Sequence, residues 1–317
     1  MKHAQPGSYS LQTGCSVPGR RFVFVGGLHR SGTTMIARAL TAHPAVSGFY
    51  NTGAIEDEGQ FLQTVFPLEN DFGGVGRFGF DPRAHMTETS VLNSAQNAAQ
   101  LLTDWGRHWD STRPVLLEKT PSNLLRMRLL QALVQPSYFI IVIRHPVAAC
   151  LATVKWTEGN LFSLLAHWEH CYSVAYEDAK LIERVLWVSY ENFVADPPRE
   201  LARMGRFLGL SPAPDCRPEV RNENEHYFDM WRARFFAEQV RKIEQIAPER
   251  PRSLPTRLKE KWMREARERA LPPYRRRANL RNFYDAQDAV ALLEPAINRF
   301  GYSFLDLNLA GIDNERV

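Results

Sequence analysis

The sequence has few cysteines, four among 317 residues: Cys15, Cys150, Cys171 and Cys216. No two of them have CxxC spacing, so a zinc site built from paired cysteines is not expected, and the count does not require disulfides. The chain also lacks an apolar run of the ~18 residues that a membrane-spanning helix needs. Residues 1–19 lack the apolar segment of a signal peptide. We therefore expect a cytoplasmic protein, kept reduced and without stable membrane insertion.

Charge of one sign is not in large excess. The net charge is +4, with 39 basic and 35 acidic residues. This mild excess is compatible with an anionic ligand and gives no reason to expect nucleic acid as a partner. Basic residues are dense in 250–281. Glutamates interleave with them in 258–269, as in a solvated, ion-paired helix. Arg275, Arg276 and Arg277 follow two prolines outside that pattern and are candidates for anion binding.

A glycine-containing loop is the most informative part of the chain. A predicted strand, Arg21–Gly26, leads into it, and a predicted helix, Thr33–Ala42, follows it. The spacing Gly27-x4-Gly32-Thr33-Thr34 fits the P-loop template G-x4-G-K-[ST] except that Thr33 replaces the lysine. Backbone amides of such a loop and of the helix N-terminus form a cradle for phosphate. Arg30, within the loop, could supply the missing cation.

Short apolar strands alternate with helices along the rest of the chain. This order predicts an α/β fold, a P-loop-like parallel sheet with helices on both faces. Residues 1–20 are expected to be a disordered lead-in and 21–317 a single domain, with insertions at about 50–110 and 250–281 on the acceptor side. After the first strand and helix, the predicted strands are Pro114–Glu118, Tyr138–Ile143 and Arg184–Ser189, and the principal predicted helices are Glu88–Trp109, Phe162–Glu183, Arg199–Leu208 and Ala286–Phe300.

Basic residues follow three of the predicted strands: Arg30, Lys119 and Arg144. Ligands of such sheets bind outside the carboxyl ends of the strands, where these side chains should converge. The sequence therefore predicts one anionic site at this edge of the sheet.

Three segments together carry a resemblance to a known family: the loop Gly26–Thr34, the motif Glu118-Lys119-Thr120-Pro121, and Arg144-His145-Pro146. With them, the chain resembles the sulfotransferases that use 3′-phosphoadenosine 5′-phosphosulfate (PAPS). It looks closest to the bacterial branch that is also similar to tyrosylprotein sulfotransferases. The resemblance runs from about Phe22 to Tyr302 and includes a Tyr-Glu-Asn-Phe turn that begins at Tyr190.

The resemblance implies a transferase that uses PAPS as donor, releases 3′-phosphoadenosine 5′-phosphate (PAP) and needs no metal. The family's usual serine, eight residues after the 3′-phosphate arginine, is Ala152 here, so Thr153 is expected to donate instead. The residues expected to hold the cofactor are Gly27, Leu28, His29, Arg30, Ser31, Gly32, Thr33, Thr34, Arg144, Thr153, Tyr190, Arg275, Arg276 and Arg277.

The acceptor hydroxyl must lose a proton, and a carboxylate or histidine near the sulfur can take it. Glu58 is the preferred base, with Glu56, His29 and His85 as alternatives. Arg30 and Lys119 are expected to stabilise charge on the leaving oxygen. The predicted acceptor is a hydroxyl of a small molecule, lipid or glycoside, and the oligomeric state is left open. A P-loop nucleotide kinase and a noncatalytic polyanion-binding protein are the alternative functions.

Overall fold

A computed structural model of the chain describes residues 14–157, 160–211, 221–233, 285–309 and 311–312. The predicted anion-binding residues Arg275, Arg276 and Arg277 and the whole insertion at 250–281 lie outside these ranges. The strands are β1 (Cys15–Ser16), β2 (Arg21–Gly26), β3 (Val46–Ser47), β4 (Val115–Lys119), β5 (Val134–Gln135), β6 (Ser137–Ile143) and β7 (Val185–Ser189).

Helices connect these strands and cover the sheet. They are α1 (Thr33–Thr41), α2 (Ala95–Gly106), α3 (Met127–Leu133), α4 (Pro146–Thr153), α5 (Leu161–Ala179), α6 (Tyr190–Ala195), α7 (Pro197–Leu208), α8 (224–233) and α9 (Asp285–Asn298). The region between β3 and α2 contains five short 3-10 turns: Ile55–Asp57, Gly59–Leu62, Glu69–Phe72, Phe78–Phe80 and Pro82–Ala84. Two more 3-10 turns, Pro121–Leu125 and Val154–Trp156, precede α3 and follow α4.

The main sheet has the strand order β3-β4-β2-β6-β7, and every neighbouring pair is parallel. Successive side chains of a strand point to opposite faces, and both faces are covered here. Phe22 and Phe24 lie in a core with α2, α3, α5 and α9, whereas Val23 and Val25 pack against α1 and α7. The α/β fold with a parallel sheet between helices is confirmed.

The predicted strands agree with the structure to within one residue at each end, because each is a buried apolar run between turns. The predicted helix Glu88–Trp109 was too long, since the observed helix is α2. The Ser94 side chain accepts a hydrogen bond from the Asn97 amide and starts the helix there. Residues 87–93 form turns instead, in which the Asn93 amide donates to the Ser90 carbonyl.

Part of the expected disordered lead-in is ordered. Cys15–Ser16 form β1, which pairs in parallel with β5 in a separate two-stranded sheet. This pairing places residues 15–16 beside the end of α3. Residues 1–13 lie outside the described part of the chain, and the proposed division into domains stays a prediction.

Candidate active site

The loop between β2 and α1 has the backbone that its glycines allow. Gly27 has a φ of 144°, and a Cβ there would lie 2.2 Å from the Val142 carbonyl oxygen. Gly32 has a φ of 100° and is the N-cap of α1. Both positions therefore require glycine, since other residues rarely adopt these angles. Arg30 also has a positive φ, 66°, which turns the chain sharply between the two glycines.

Tyr172 of α5 holds this loop from beneath. Its hydroxyl donates to the Val142 carbonyl at 2.8 Å and accepts from the Leu28 amide at 3.1 Å. The Ser31 hydroxyl lies 3.1 Å from the same oxygen. Burial raises the pKa of Tyr172, so the phenol stays neutral and keeps its proton for donation.

These contacts narrow the set of loop amides that can face a ligand. The amides of Gly27, Leu28 and Ser31 are used inside the protein, the first on the Pro121 carbonyl and the last on the Leu28 carbonyl. In the described chain, no acceptor is found for the amides of His29, Arg30, Gly32, Thr33 and Thr34. The last two belong to the first turn of α1, where helix geometry leaves amides free. These five amides are therefore the ones that the loop leaves available to a ligand.

Glu58 and Lys119 form a buried ion pair beside the loop. The Lys119 ammonium lies 3.2 Å from Glu58 Oε1 and also donates to the Glu56 carbonyl at 3.0 Å. Gln60 donates to Glu58 Oε2 at 2.8 Å. Burial raises the pKa of Glu58, while the charge of Lys119 and the Gln60 hydrogen bond oppose that rise. The pair thus holds a carboxylate in one orientation with a cation next to it.

A second buried carboxylate fixes the segment that carries Glu58. Glu118 accepts from the Gly59 amide at 3.0 Å and from the Thr120 hydroxyl at 2.5 Å. Burial raises the pKa of Glu118 to about 7 although hydrogen bonds from Thr120 and Asn123 oppose it. A Cβ on Gly59 would lie 2.4 Å from the Glu118 side chain, so this approach requires glycine. The end of β4 therefore positions both members of the Glu58–Lys119 pair.

His29 is paired with a carboxylate that sequence reasoning missed. Its Nε2 lies 3.0 Å from Glu69 Oε1. Burial alone would lower the pKa of His29, but the hydrogen bond and charge of Glu69 outweigh it, and the pKa is raised. The Glu69 amide donates to Gln60 Oε1 at 3.1 Å, and Gln60 in turn donates to Glu58. Gln60 thereby links the two charged pairs.

Arg144 lies at the end of β6, on the other side of the loop. Its Nη1 donates to the Arg30 carbonyl and its Nε to Asn224 Oδ1, both at 2.8 Å. Its guanidinium lies 4.1 Å from the centre of the Tyr190 ring. Its Nη2 is buried and has no hydrogen-bond partner in the described residues. An arginine nitrogen left in this way is available to an anion from outside the chain.

A cavity of about 550 Å³ lies over the loop. The expected site residues that line it are His29, Arg30, Thr33, Thr34, Glu56, Glu58 and Thr153. The Thr153 hydroxyl donates to the Ala149 carbonyl at 2.7 Å, so its proton is not left for a phosphate. Lys119 lines a neighbouring cavity of about 380 Å³ that shares Thr34, Arg38 and Glu56 with the first.

The structure does not bring His85 to this cavity. Its Nε2 lies 2.7 Å from Asp178 Oδ2, in a separate cluster with Arg128. Glu69, Gln60 and Asn224 were not expected in the site. Asn224 donates to Glu191 while it accepts from Arg144. No spacing in the sequence marks these three residues. Glu69 and Asn224 contact residues that are far away in the chain, and Gln60 acts through its contact with Glu69.

Comparison with known proteins decides the family. The model described as the sulfotransferase family matches residues 23–215. The chain belongs to the sulfotransferase family. Protein-tyrosine sulfotransferase 2 of Gallus gallus is 26% identical over 201 residues, which are 60% of this chain and 51% of that protein. The chain thus spans about half the length of this relative.

Matches among solved structures include two sulfotransferases. The sulfotransferase domain of the Synechococcus PCC 7002 olefin synthase is 18% identical, covering 86% of this chain and 99% of that one, with a TM-score of 0.41. Sulfotransferase STF9 from Mycobacterium avium is 14% identical, covering 93% of this chain and 79% of that one, with a TM-score of 0.44.

Two further findings concern the described residues only. None of their helices is both long and apolar enough to cross a membrane. Their histidines, cysteines and acids form no group of three or more that could hold a metal ion.

Proposed function

We propose that this chain is a PAPS-dependent sulfotransferase that transfers a sulfuryl group to a hydroxyl of a small molecule, lipid or glycoside. The observation that supports the proposal best is the cavity of about 550 Å³ beside the lysine-free loop, which the buried carboxylate of Glu58 lines. Arg144 contacts the same loop from the opposite side. The nucleotide kinase alternative has no support from the family to which the chain belongs.

The residues present fit an adenosine carrying phosphates at its 3′ and 5′ positions. The amides of residues 32–34 would hold the 5′ group at the N-terminus of α1, where the helix dipole favours an anion. The unpartnered Nη2 of Arg144 would hold the 3′-phosphate. Tyr190 stacks on the guanidinium and keeps it in place. When bound, PAPS supplies the sulfuryl group, which passes in line between two oxygens.

The protein's own groups then have separate tasks. Glu58 takes the proton of the acceptor hydroxyl, because its carboxylate lines the cavity. Lys119 keeps that carboxylate oriented and supplies positive charge where negative charge develops. The amides of the loop and the Thr33 and Thr34 hydroxyls stabilise the leaving oxygen. This is preorganised electrostatic stabilisation with little covalent chemistry for the protein.

The mouth of the cavity supports an acceptor with an apolar body. Ile55 and Trp156 line it, and their exposed fractions are 68% and 60%. Val75 also lines the cavity. Exposed apolar groups around a polar centre mark a ligand-binding site. A tyrosine of a protein is the second candidate acceptor, favoured by the name of the Gallus gallus relative.

A thermal-shift titration tests the donor. A ligand that binds only the folded state stabilises it by about 2.7 kcal/mol at one hundred times its Kd. We expect PAP to raise Tm in this way and ATP to have far less effect. Arg144→Ala should abolish most of the rise in Tm that PAP causes. Arg128→Ala, in the separate His85 cluster, should leave that rise unchanged. Equal stabilisation of the protein by PAP and ATP would contradict the proposal.

Mass spectrometry of products tests the acceptor. The protein is incubated with PAPS and matched panels of aliphatic alcohols, phenols, glycosides and tyrosine peptides. A gain of one SO₃ on a small alcohol, phenol or glycoside supports the proposal. If only the tyrosine peptides gained SO₃, the acceptor would be a protein tyrosine and not a small molecule.

A further inference from the structure

The phosphate loop is short of buried positive charge. Thr33 stands where P-loops carry lysine. Arg30 does not fill this place, because its side chain is exposed and its guanidinium lies over the Trp156 ring, 5.8 Å from the ring centre. His29, one residue earlier, is the other basic side chain of the loop, and it is 20% exposed and lines the cavity.

We propose that the imidazolium of His29, held by Glu69, is the partly buried cation of this loop and donates from Nδ1 to the anion that the loop binds. The proposal rests on the proposed function for the identity of that anion. His29 would touch the bound group directly, and Glu69 is its positioning residue.

The contacts of the His29 imidazole fix its orientation and leave one of its two nitrogens, Nδ1, for a ligand. Nε2 is 3.0 Å from Glu69 Oε1, so it donates to this carboxylate. Glu69 is itself 4% exposed and anchored by its amide on Gln60. The buried Phe78 ring lies edge-on to the imidazole, with ring centres 6.3 Å apart. Nδ1 has no hydrogen-bond partner among the described residues, so a second ring proton is left for an outside acceptor.

The charges around His29 favour its protonated form. Glu69 and Glu58 raise its pKa, whereas burial and Lys119 lower it, and the net direction is upward. His167 of α5 also lies near, but burial lowers its pKa to about 3 and the Gly79 amide donates to its Nε2, so it is neutral. Arg30 is adjacent in the chain and exposed. A bound anion raises the pKa of His29 further.

Protonation of His29 separates its role from that of Glu58. A ring that already carries both protons cannot accept one from the acceptor hydroxyl, whereas the Glu58 carboxylate can. PAP affinity should therefore fall as the pH rises through the pKa of His29. Turnover should fall at low pH as Glu58 is protonated and at high pH as His29 loses its proton.

NMR of the histidine side chains gives the first test. In the full-length protein, the pKa of His29 should lie above 6.5 and should rise when PAP is added. Glu69→Gln should lower it by about one unit or more, because the hydrogen-bonded negative charge is lost. A His29 pKa at or below 6.5 in the wild-type protein overturns the proposal, whether or not any variant folds.

Calorimetric titration with PAP between pH 7 and pH 9 gives the second test, since the ionisation of its phosphates is nearly complete over this range. We expect the Kd for PAP to rise about tenfold across this range in the wild-type protein. A tenfold change corresponds to a pKa of His29 that is one unit higher in the complex than in the free protein. In His29→Asn, which retains a neutral donor near Nδ1, the rise should be less than about twofold. His85→Asn is the matched control, because it removes another histidine–carboxylate pair. In that pair, His85 Nε2 lies 2.7 Å from Asp178 Oδ2.

The outcomes separate the two proposals. PAP binding with the same pH dependence in His29→Asn and the wild-type protein overturns the role of His29 and leaves the proposed function standing. Failure of the wild-type protein to bind PAP at any pH overturns the proposed function and, with it, the donation to this anion.

Discussion

Glu56 and Glu58 are separated by one residue, yet the fold gives them different surroundings. Glu56 has a φ of 50° and an exposed side chain, and its contribution to the Lys119 site is its backbone carbonyl. Glu58 is 6% exposed, and its carboxylate accepts from both Lys119 and Gln60. The chain turn at residues 56–57 thus directs one carboxylate inward and leaves the other at the rim.

We expect Glu58→Gln to lower the rate of sulfuryl transfer by a factor of about 10² or more, because the amide cannot take the acceptor proton. PAP affinity should stay within about twofold, since the side chain retains its size and lies outside the loop amides. Single-turnover kinetics with saturating PAPS and an aliphatic alcohol acceptor measure the chemical step without product release.

Glu56→Gln is the matched control and should keep a near-normal rate. If Glu58→Gln were as active as Glu56→Gln, another group would be the base. An acceptor of low intrinsic pKa, such as a phenol, would weaken the effect, which is why the alcohol is used.

The sequence indicated which basic residues follow the strands, but it did not indicate which residues they contact. Arg30, Lys119 and Arg144 were predictable, because parallel strands end at one edge of the sheet. Glu69 and Asn224 were not, since Glu69 lies among irregular turns and Asn224 lies 80 residues beyond Arg144. Contacts of this kind depend on the folded path of the chain, which no local periodicity encodes.

Helix α5 connects the core to the loop between β2 and α1. Tyr172 packs against Trp168 and Phe300, with ring centres 4.7 and 6.4 Å away, while its hydroxyl contacts Leu28, Ser31 and Val142. The strands of this region were predictable from their buried apolar runs. The position of a helix beneath the loop was not, because only the tertiary packing brings residue 172 to residue 28.

We expect Tyr172→Phe to lower the free energy of unfolding by about 1–3 kcal/mol, because the Leu28 amide and Val142 carbonyl lose a buried partner. PAP should also bind more weakly, since the loop amides are less firmly placed. Urea unfolding and PAP calorimetry measure the two effects. Tyr176→Phe, on the same helix and half-buried, is the control. Loss of stability with unchanged PAP affinity would show that Tyr172 supports the core and not the loop.

Tyr302 and Ser303, which follow α9, join the hydrogen-bond network that holds Arg144. The Tyr302 hydroxyl donates to Glu191 Oε2 at 2.7 Å, and His145 Nε2 donates to the Ser303 carbonyl at 3.0 Å. Burial lowers the pKa of His145 to about 3, so the ring is neutral and has one proton to give. Glu191 Oε1 accepts from Asn224, which holds Arg144. Residues far apart in the chain therefore share one hydrogen-bond network.

Through this network, PAP affinity should depend on Tyr302, which is connected to Arg144 through Glu191 and Asn224. We expect Tyr302→Phe to lower the free energy of unfolding by about 1–2 kcal/mol, because Glu191 loses a buried donor. It should also weaken PAP binding about three- to tenfold, since Glu191 then holds Asn224, and Asn224 holds Arg144, less firmly. Tyr50→Phe, at a side chain 81% exposed, is the control for loss of a hydroxyl.

A double-mutant cycle decides whether the effect passes through the network. Asn224→Ala removes the direct partner of Arg144, so Tyr302→Phe should weaken PAP binding much less in that background than in the wild-type protein. Independent sites would instead give additive changes in binding free energy. Additivity within about 0.3 kcal/mol would show that the C-terminal segment stabilises the fold without acting on Arg144. A strongly reduced second effect would show that Tyr302, Glu191, Asn224 and Arg144 act as one cooperative unit.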